Sequence, residues 1–140
     1  MGRYMAIDYG TKRTGIAVTD PMQMIATALN TVQTHALMTF LTAYFQTEDV
    51  EKMIVGKPLR LDGSESDSMK YVRQFVRAFK KRFPGIAVEW VDERFTSSLA
   101  RDALLSGGMK KQDRAKKGHV DKISAVIILQ SYLEAQNNTH

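Results

Sequence analysis

The sequence has no cysteine among its 140 residues, which excludes disulfides and thiolate metal sites. Any metal must therefore be held by oxygen ligands or by the three histidines. No apolar run approaches the roughly 18–20 residues of a membrane-spanning helix, and the first residues lack the apolar segment of a signal peptide. We therefore expect a cytoplasmic protein.

The chain has a moderate excess of positive charge. Its length and its 44% of hydrophobic residues suit one domain, residues 1–140, with a single core. A net charge of +5 favours polyanionic partners, although such a balance is also a common aid to solubility. Five cations follow Ser106-Gly107-Gly108 and are offset only by Asp113, namely Lys110, Lys111, Arg114, Lys116 and Lys117. We interpret this segment as a basic loop that contacts phosphate, with a solvated linker as the alternative.

The amino-terminal third predicts an antiparallel meander of three strands. These strands are expected over residues 3–9, 14–19 and 25–32. Gly10 and Gly15 bracket the first turn, where they permit the positive φ and the close backbone approach that a tight connection needs.

A carboxylate closes the first predicted strand. Asp8 ends an apolar run and precedes the turn, a position where a ligand can reach its side chain. A simple turn hydrogen bond would also explain an Asp beside a glycine. Lys12 and Arg13 on the same turn are candidates for phosphate contact.

The rest of the chain alternates helices and strands, which predicts βαβ crossovers after the meander. The first expected elements are a helix capped by Thr34 and ending near Gln46 and a buried parallel strand over residues 52–56. The next helix begins with a capping box of Ser64 and Asp67 and ends at Pro84. A strand over 86–91, a short helix over 96–105 and a last helix over 119–135 complete the order. The fold class is thus α/β, with a mixed five-stranded sheet flanked by helices.

The second helix has the clearest amphipathic pattern. Met69, Val72, Val76, Phe79 and Phe83 recur at steps of three and four, and we interpret this stripe as core. The basic residues at other positions are interpreted as a solvated face, namely Lys70, Arg73, Arg77, Lys80 and Lys81.

Three carboxylates are expected at one edge of the sheet. Ligands of open α/β sheets bind beyond the carboxyl ends of the parallel strands, where Asp8 and Glu93 are predicted to lie. A last helix packed on the sheet can bring Asp121 over the same edge, although Asp121 alone could simply complement the helix dipole. Clustered carboxylates are costly unless cations neutralise them, which favours one or two Mg²⁺ or Mn²⁺ ions. Two such ions about 3.5–4 Å apart could support phosphodiester hydrolysis.

The chain resembles the YqgF family of the ribonuclease H-like superfamily, the Holliday-junction resolvase or pre-16S rRNA nuclease group. The resemblance covers essentially the whole chain and is carried by four segments in order, Ala6-Ile7-Asp8-Tyr9-Gly10, Val55-Gly56-Lys57-Pro58-Leu59, Val91-Asp92-Glu93-Arg94-Phe95-Thr96-Ser97 and Val120-Asp121-Lys122-Ile123-Ser124-Ala125. It implies a ribonuclease H-like fold in which Asp8, Glu93 and Asp121 are the metal-binding catalytic carboxylates.

The resemblance also implies a substrate. It points to maturation of the 5′ end of 16S rRNA, possible contact with the small ribosomal subunit, and endonucleolytic cleavage, whereas the older family name points to branched DNA; we expect the RNA role. Lys57 and Ser97 depart mildly from the family pattern. Glu65 is a possible additional acid, Asp92 is ambiguous beside Glu93, and Arg94 could contact phosphate or pair with an acid.

Two other classes of function compete with a nuclease. The Asp8-Tyr9-Gly10-Thr11 turn also resembles the phosphate loop of actin-like ATPases, but those proteins close two such domains around a nucleotide, and no Gly-x-x-x-x-Gly-Lys loop precedes Lys57. A nucleic-acid-binding assembly factor without catalysis is the other alternative. RNA versus DNA, endonuclease versus exonuclease, the number of ions and the oligomeric state stay open from sequence.

Overall fold

The computed structural model of the chain describes residues 2–93 and 117–137, and in the last helix the side chains of residues 123–136. It contains a five-stranded sheet in the order β3-β2-β1-β4-β5. The strands are β1 (Arg3–Asp8), β2 (Arg13–Thr19), β3 (Ala26–Gln33), β4 (Val50–Lys57) and β5 (Ala87–Asp92). The first three pair antiparallel, whereas β4 lies parallel to β1 and β5 parallel to β4. The predicted mixed sheet, a meander followed by parallel strands, is confirmed.

Helices cover both faces of this sheet. A short 3-10 helix (Thr34–Ala36) leads into α1 (Leu37–Thr47), α2 (Met69–Arg82) joins β4 to β5, and α3 (Lys117–Asn137) is the last helix. The predicted helix over 96–105 and most of the predicted basic loop lie outside the described residues. Within the described ranges, no helix is both long and apolar enough to cross a membrane.

Side-chain alternation along the strands creates two apolar layers. One layer joins alternate strand residues to α1 and α2, and its fully buried members include Met5, Ile7, Ile16, Leu37, Leu41, Met53, Val72 and Phe79. The other joins the intervening residues to α3, and it contains Tyr4, Ala6, Ala17, Ile54, Ala125, Val126, Ile128, Leu129 and Tyr132. The aromatic stripe of α2 is therefore core, as its spacing predicts.

The start of the first helix differs from the prediction. Thr34 does not cap it: the residue before the 3-10 helix is Gln33, and no side chain caps either that helix or α1. The Thr34 hydroxyl instead donates to the carbonyl of Gly10 at 2.6 Å and hydrogen bonds the Thr14 hydroxyl at 2.9 Å. The Thr34 hydroxyl therefore bonds to the first turn and to β2 and does not cap the helix.

The predicted capping box before α2 is also wrong. The helix begins at Met69, and the side chain of Ser68, the residue before it, makes no capping hydrogen bond. The Ser64 hydroxyl donates to Asp62 at 2.6 Å, and Asp67 accepts from Arg60 at 2.9 Å. Both residues have partners within the loop between β4 and α2, so neither serves the helix end.

The first turn needs a glycine for space. A β-carbon on Gly10 would lie 2.3 Å from the carbonyl oxygen of Arg13, which no side chain tolerates. The expectation of positive φ at Gly10 and Gly15 is wrong, because the positive-φ glycine of the described chain is Gly63, at 92°. Close backbone approach is the reason for the glycine at position 10.

Candidate active site

Asp8 lies at the carboxyl edge of the sheet, as the last residue of β1. It pairs with Gly15 of β2. Ile7 pairs with Val55 of β4, so Asp8 lies beside the next residue of β4, Gly56. Strand alternation places Asp8 on the same face as Tyr4 and Ala6, the face covered by α3. Its side chain is half-buried. The carboxylate therefore stands at the rim of the α3 layer, where a ligand can approach from the edge.

Tyr9, the next residue, fixes the chain on the other side of the sheet. Its ring stacks on Phe75 of α2, with centroids 5.2 Å apart and an interplanar angle of 27°. Burial raises the pKa of the Tyr9 hydroxyl. Anchoring of Tyr9 on one face of the sheet holds the end of β1 in place and leaves Asp8 on the other face.

Glu93 reaches the same edge from β5, two strands away from Asp8. It follows Asp92, the last residue of that strand, and Gly56 of the intervening strand pairs with Val91. A β-carbon on Gly56 would lie 3.1 Å from both Cγ and Cδ of Glu93. The Glu93 side chain therefore lies over the bare backbone of β4, on the α3 face. The structure thus brings Asp8 and Glu93 to the two sides of Gly56.

The direction of α3 is set by contacts at both edges of the sheet. Near the start of β4, the ammonium of Lys52 donates to the Tyr132 hydroxyl at 2.6 Å and lies 5.0 Å from the Tyr4 ring centroid. At the end of β4, the same hypothetical β-carbon on Gly56 would lie 2.6 Å from Cδ1 of Ile128. The helix therefore runs antiparallel to β4, with its amino-terminal end at the carboxyl edge.

This direction places position 121 at the predicted site. It precedes Ile128 by seven residues, close to two helical turns, so it lies about 10 Å further along the helix axis and at nearly the same angle around it. The backbone of α3 therefore carries position 121 beyond the carboxyl edge, on the face that holds Asp8 and Glu93. The Asp121 side chain itself lies outside the described part of the structure.

The Lys52 contact also has an electrostatic component. Burial by itself lowers the pKa of Lys52, but the hydrogen bond to Tyr132 and the nearby Glu89 carboxylate, 3.5 Å away, outweigh burial and raise it. Lys52 therefore stays charged, and it holds Tyr132 and the carboxyl-terminal half of α3 against the sheet.

The described side chains supply two of the three predicted ligands. Among them, no three acidic, histidine or cysteine side chains are gathered closely enough to hold a metal ion. Asp8 and Glu93 offer the carboxylate oxygens that Mg²⁺ and Mn²⁺ prefer. The Glu93 side chain lies over Gly56, on the face of the sheet that Asp8 shares, so the carboxylates present fit a hard divalent cation.

The predicted phosphate contacts on the first turn lie at this edge. Lys12 is exposed, and Arg13 is half-buried at the start of β2. The Thr34 amide donates to the Lys12 carbonyl at 2.9 Å. Together with the Thr34 hydroxyl bond to Gly10, this contact ties the turn to Thr34 at two points. Lys12 is thus an exposed cation on the hydrogen-bonded turn that follows Asp8.

The remaining predicted site residues are either outside the description or elsewhere. Arg94, Lys110, Lys111, Arg114 and Lys116 fall outside the described residues, and Lys117 is known only as the first position of α3. Asp92 pairs in register with Lys57, and alternation places it on the face opposite Glu93. Glu65 accepts a hydrogen bond from Nε of Arg73 in α2 at 2.8 Å, which accounts for that carboxylate without a metal.

Sequence reasoning did not identify Gly56 as a site residue. Its position at the end of an apolar strand, directly before Lys57 and Pro58, was the available signal. Only the register between β4 and β5 reveals that its missing side chain makes room for Glu93.

Comparison with known proteins gives a consistent result. A family model described as RuvX, Holliday junction resolvase, matches residues 2–135. A Bacteroides fragilis protein with the name "Putative pre-16S rRNA nuclease" is 55% identical over 136 residues, which cover 97% of this chain and 99% of that protein. A protein of the same name from Phocaeicola vulgatus is 54% identical over 97% of this chain and 98% of its own length. Another from Porphyromonas gingivalis is 51% identical over 96% of this chain and 97% of its own length.

Proposed function

Because the chain belongs to the RuvX (YqgF) family of Holliday junction resolvases, we propose that it is a metal-dependent nuclease that matures the 5′ end of 16S rRNA. Proteins that match this chain over nearly their full length have the name "Putative pre-16S rRNA nuclease". The observation that carries the proposal is the placement of Asp8 and Glu93 on either side of Gly56, at the edge where α3 begins.

The proposed metal ligands are Asp8, Glu93 and Asp121. The first two provide oxygen donors on one face of the sheet, and position 121 lies on the helix that begins over them. One or two Mg²⁺ or Mn²⁺ ions, when bound, would supply the positive charge that activates water and stabilises the leaving oxygen.

The chain's own residues then position the substrate. Asp8 and Glu93 have fixed backbones, because Asp8 ends a strand held by neighbours on both sides and Glu93 directly follows β5. Lys12 and Arg13 on the rigid first turn hold the phosphate backbone near the carboxylates, as does the basic segment of Lys110, Lys111, Arg114, Lys116 and Lys117. Water attacks phosphorus, and the bond to the leaving oxygen breaks.

Branched DNA is the second candidate substrate, because the matching family model is described as a Holliday junction resolvase. Both substrates present a phosphodiester to the same carboxylates. The two proposals therefore share one site and differ only in what surrounds the scissile phosphate.

A cleavage assay with two substrates tests the function. Native protein with Mn²⁺ or Mg²⁺ is incubated with an RNA that carries the extended 16S 5′ end and, separately, with a four-way DNA junction. Glu93→Gln is the test variant. Glu89→Gln is the matched control, since it changes the same group on the same face four residues earlier, within β5 itself.

We expect cleavage of the RNA, a loss of at least about 100-fold in Glu93→Gln, and a rate within about threefold of native in Glu89→Gln. Cleavage of the junction alone would replace RNA by branched DNA. RNA binding without cleavage of either substrate would identify the chain as a non-catalytic assembly factor.

A further inference from the structure

A second surface with the features of a nucleic-acid site lies on the opposite face of the sheet. A groove of about 250 Å³ runs between α2 and β5 and is lined by Arg73, Val76, Arg77, Lys80 and Trp90. The three cations lie at positions i, i+4 and i+7 of α2, so they share one side of the helix. We call this surface the α2 groove.

The charge of the α2 groove comes from Arg77 and Lys80. Glu65 forms an ion pair with Arg73 and thereby neutralises it. Within residues 2–93 and 117–137, no carboxylate forms an ion pair with Arg77 or Lys80, and both side chains are exposed. Two neighbouring cations that no described carboxylate pairs with favour an anionic ligand over an apolar or a cationic one.

An aromatic ring forms the floor of the α2 groove. Trp90 is the only tryptophan of the chain, and it is partly exposed although one side packs on the core. The Arg73 guanidinium lies 5.9 Å from the Trp90 ring centroid, and Glu65 holds that guanidinium in place. A partly exposed aromatic ring with a guanidinium beside it, combined with phosphate-binding cations, is the combination that proteins use for single-stranded nucleic acid.

The α2 groove is close to the candidate active site along the strand. Trp90 precedes Glu93 by three residues, about 10 Å at the usual rise of a strand. Their side chains lie on opposite faces of β5, which is the outer strand of the described sheet. A strand of RNA that leaves the carboxylate edge can therefore pass around β5 and enter the groove.

We infer that the α2 groove binds single-stranded RNA that flanks the cleavage site, with phosphates at Arg77 and Lys80 and a base against Trp90. This inference rests on the proposed function for the identity of the ligand. The inference assigns a function to basic residues that the sequence pattern interprets as a solvated face. The sequence alone does not show that these residues adjoin Trp90.

Intrinsic fluorescence provides a direct test, because Trp90 is the only tryptophan. The full-length protein is titrated in EDTA with a 20-nucleotide single-stranded RNA from the extended 16S 5′ end, and tryptophan emission and the anisotropy of a dye-labelled copy of this RNA are followed in parallel. The test variant is Arg77→Gln/Lys80→Gln. The matched control is Lys70→Gln/Lys81→Gln, which removes two charges from the same helix outside the groove.

We expect quenching of Trp90 emission with the same midpoint as the anisotropy change. The test variant should raise the dissociation constant at least about fivefold and reduce the magnitude of the salt slope by roughly 1.4, the value for two lost phosphate contacts on a single strand. The control should stay within twofold, and circular dichroism should show both variants folded.

Saturated anisotropy with unchanged tryptophan emission would overturn the inference, as would equal weakening in the two double variants. If the native protein cuts the RNA but the groove variant binds it normally, the groove inference fails while the nuclease stands. If the groove binds RNA as expected but no substrate is cut, the nuclease fails while the groove stands.

Discussion

The side chain of Glu93 lies where a side chain on residue 56 would be, since a β-carbon on Gly56 would be 3.1 Å from both its Cγ and its Cδ. The same β-carbon would be 2.6 Å from Cδ1 of Ile128. Gly56 therefore permits two contacts at once, one with a candidate metal ligand and one with the helix that carries Asp121. These two contacts can be separated by mutation.

Gly56→Ala should lower both stability and activity. We expect overpacking to cost about 1–3 kcal/mol in the free energy of unfolding, measured in urea, because the new methyl group meets Ile128. Displacement of Glu93 should slow RNA cleavage by about tenfold or more.

The double variant Gly56→Ala/Ile128→Val separates the two effects. Valine lacks Cδ1, the atom in closest conflict, so stability should recover relative to the sum of the single variants. Ile128→Val alone should cost about 0.5–1.5 kcal/mol. Cleavage should stay slow, because Glu93 is still displaced. A native cleavage rate in the double variant would show that Glu93 does not depend on Gly56.

The first turn should be intolerant of a side chain at Gly10. Because the new β-carbon would lie 2.3 Å from the backbone oxygen of Arg13, the turn must change shape, and Gly10→Ala should cost about 1–3 kcal/mol in urea unfolding. Gly85→Ala is the matched control. Apart from its chain neighbours, no atom of the described residues lies within 4 Å of a β-carbon there, so its stability should be within about 0.5 kcal/mol of native. Equal effects at both positions would refute the close approach.

The Thr34 hydroxyl should stabilise this turn through its bonds to Gly10 and Thr14. Thr14 is fully buried, so Thr34→Val would leave polar groups without a partner and should cost about 1–3 kcal/mol. Thr34→Ser keeps the hydroxyl and should retain most of the stability. Chemical denaturation of both variants decides the point, and a valine variant as stable as the serine variant would contradict it.

Asp20 should make stability depend on acid pH. Its carboxylate accepts backbone hydrogen bonds from Ile25 at 2.7 Å, Met24 at 2.9 Å and Met22 at 3.0 Å, with the bond from Ile25 the leading cause of a lowered pKa. A lowered pKa in the folded state contributes stability that is complete above the unfolded value of about 3.9 and is lost as pH falls through the folded value.

The difference in unfolding free energy between native protein and Asp20→Asn should therefore be constant above about pH 5 and shrink below about pH 4. Urea titrations between pH 2.5 and 7 measure it. A difference that persists unchanged into the acid range would exclude the carboxylate as its source.

Much of the fold was predictable because periodicity reports burial. The steps of three and four from Met69 to Phe79 predict a helix with one buried side, and the run before Gly56 predicts a buried parallel strand; the structure has both. The positions of Asp8 and Glu93 at the carboxyl edge were predictable for the same reason, since each lies at the end of a recognisable strand in an α/β order. The choice of Glu93 over Asp92 came from the family resemblance.

The errors arise where a side chain hydrogen bonds a group other than the helix end. Thr34 and Ser64 have the composition of helix caps, but Gly10 and Asp62 bind their hydroxyls instead. The relation of Gly56 to Glu93 depends on the register of two strands that are separated in sequence by a helix, which no local pattern encodes.

The most direct test of the account is the binding of Mn²⁺ by the full-length protein, measured by titration calorimetry in the absence of nucleic acid. Asp8→Asn, Glu93→Gln and Asp121→Asn are compared with the native protein, and Glu89→Gln is the control. If the three carboxylates form one centre, each of the three variants weakens Mn²⁺ binding at least about tenfold, whereas the control binds as the native protein does. Unchanged binding in Asp121→Asn would contradict a centre shared between the sheet edge and α3.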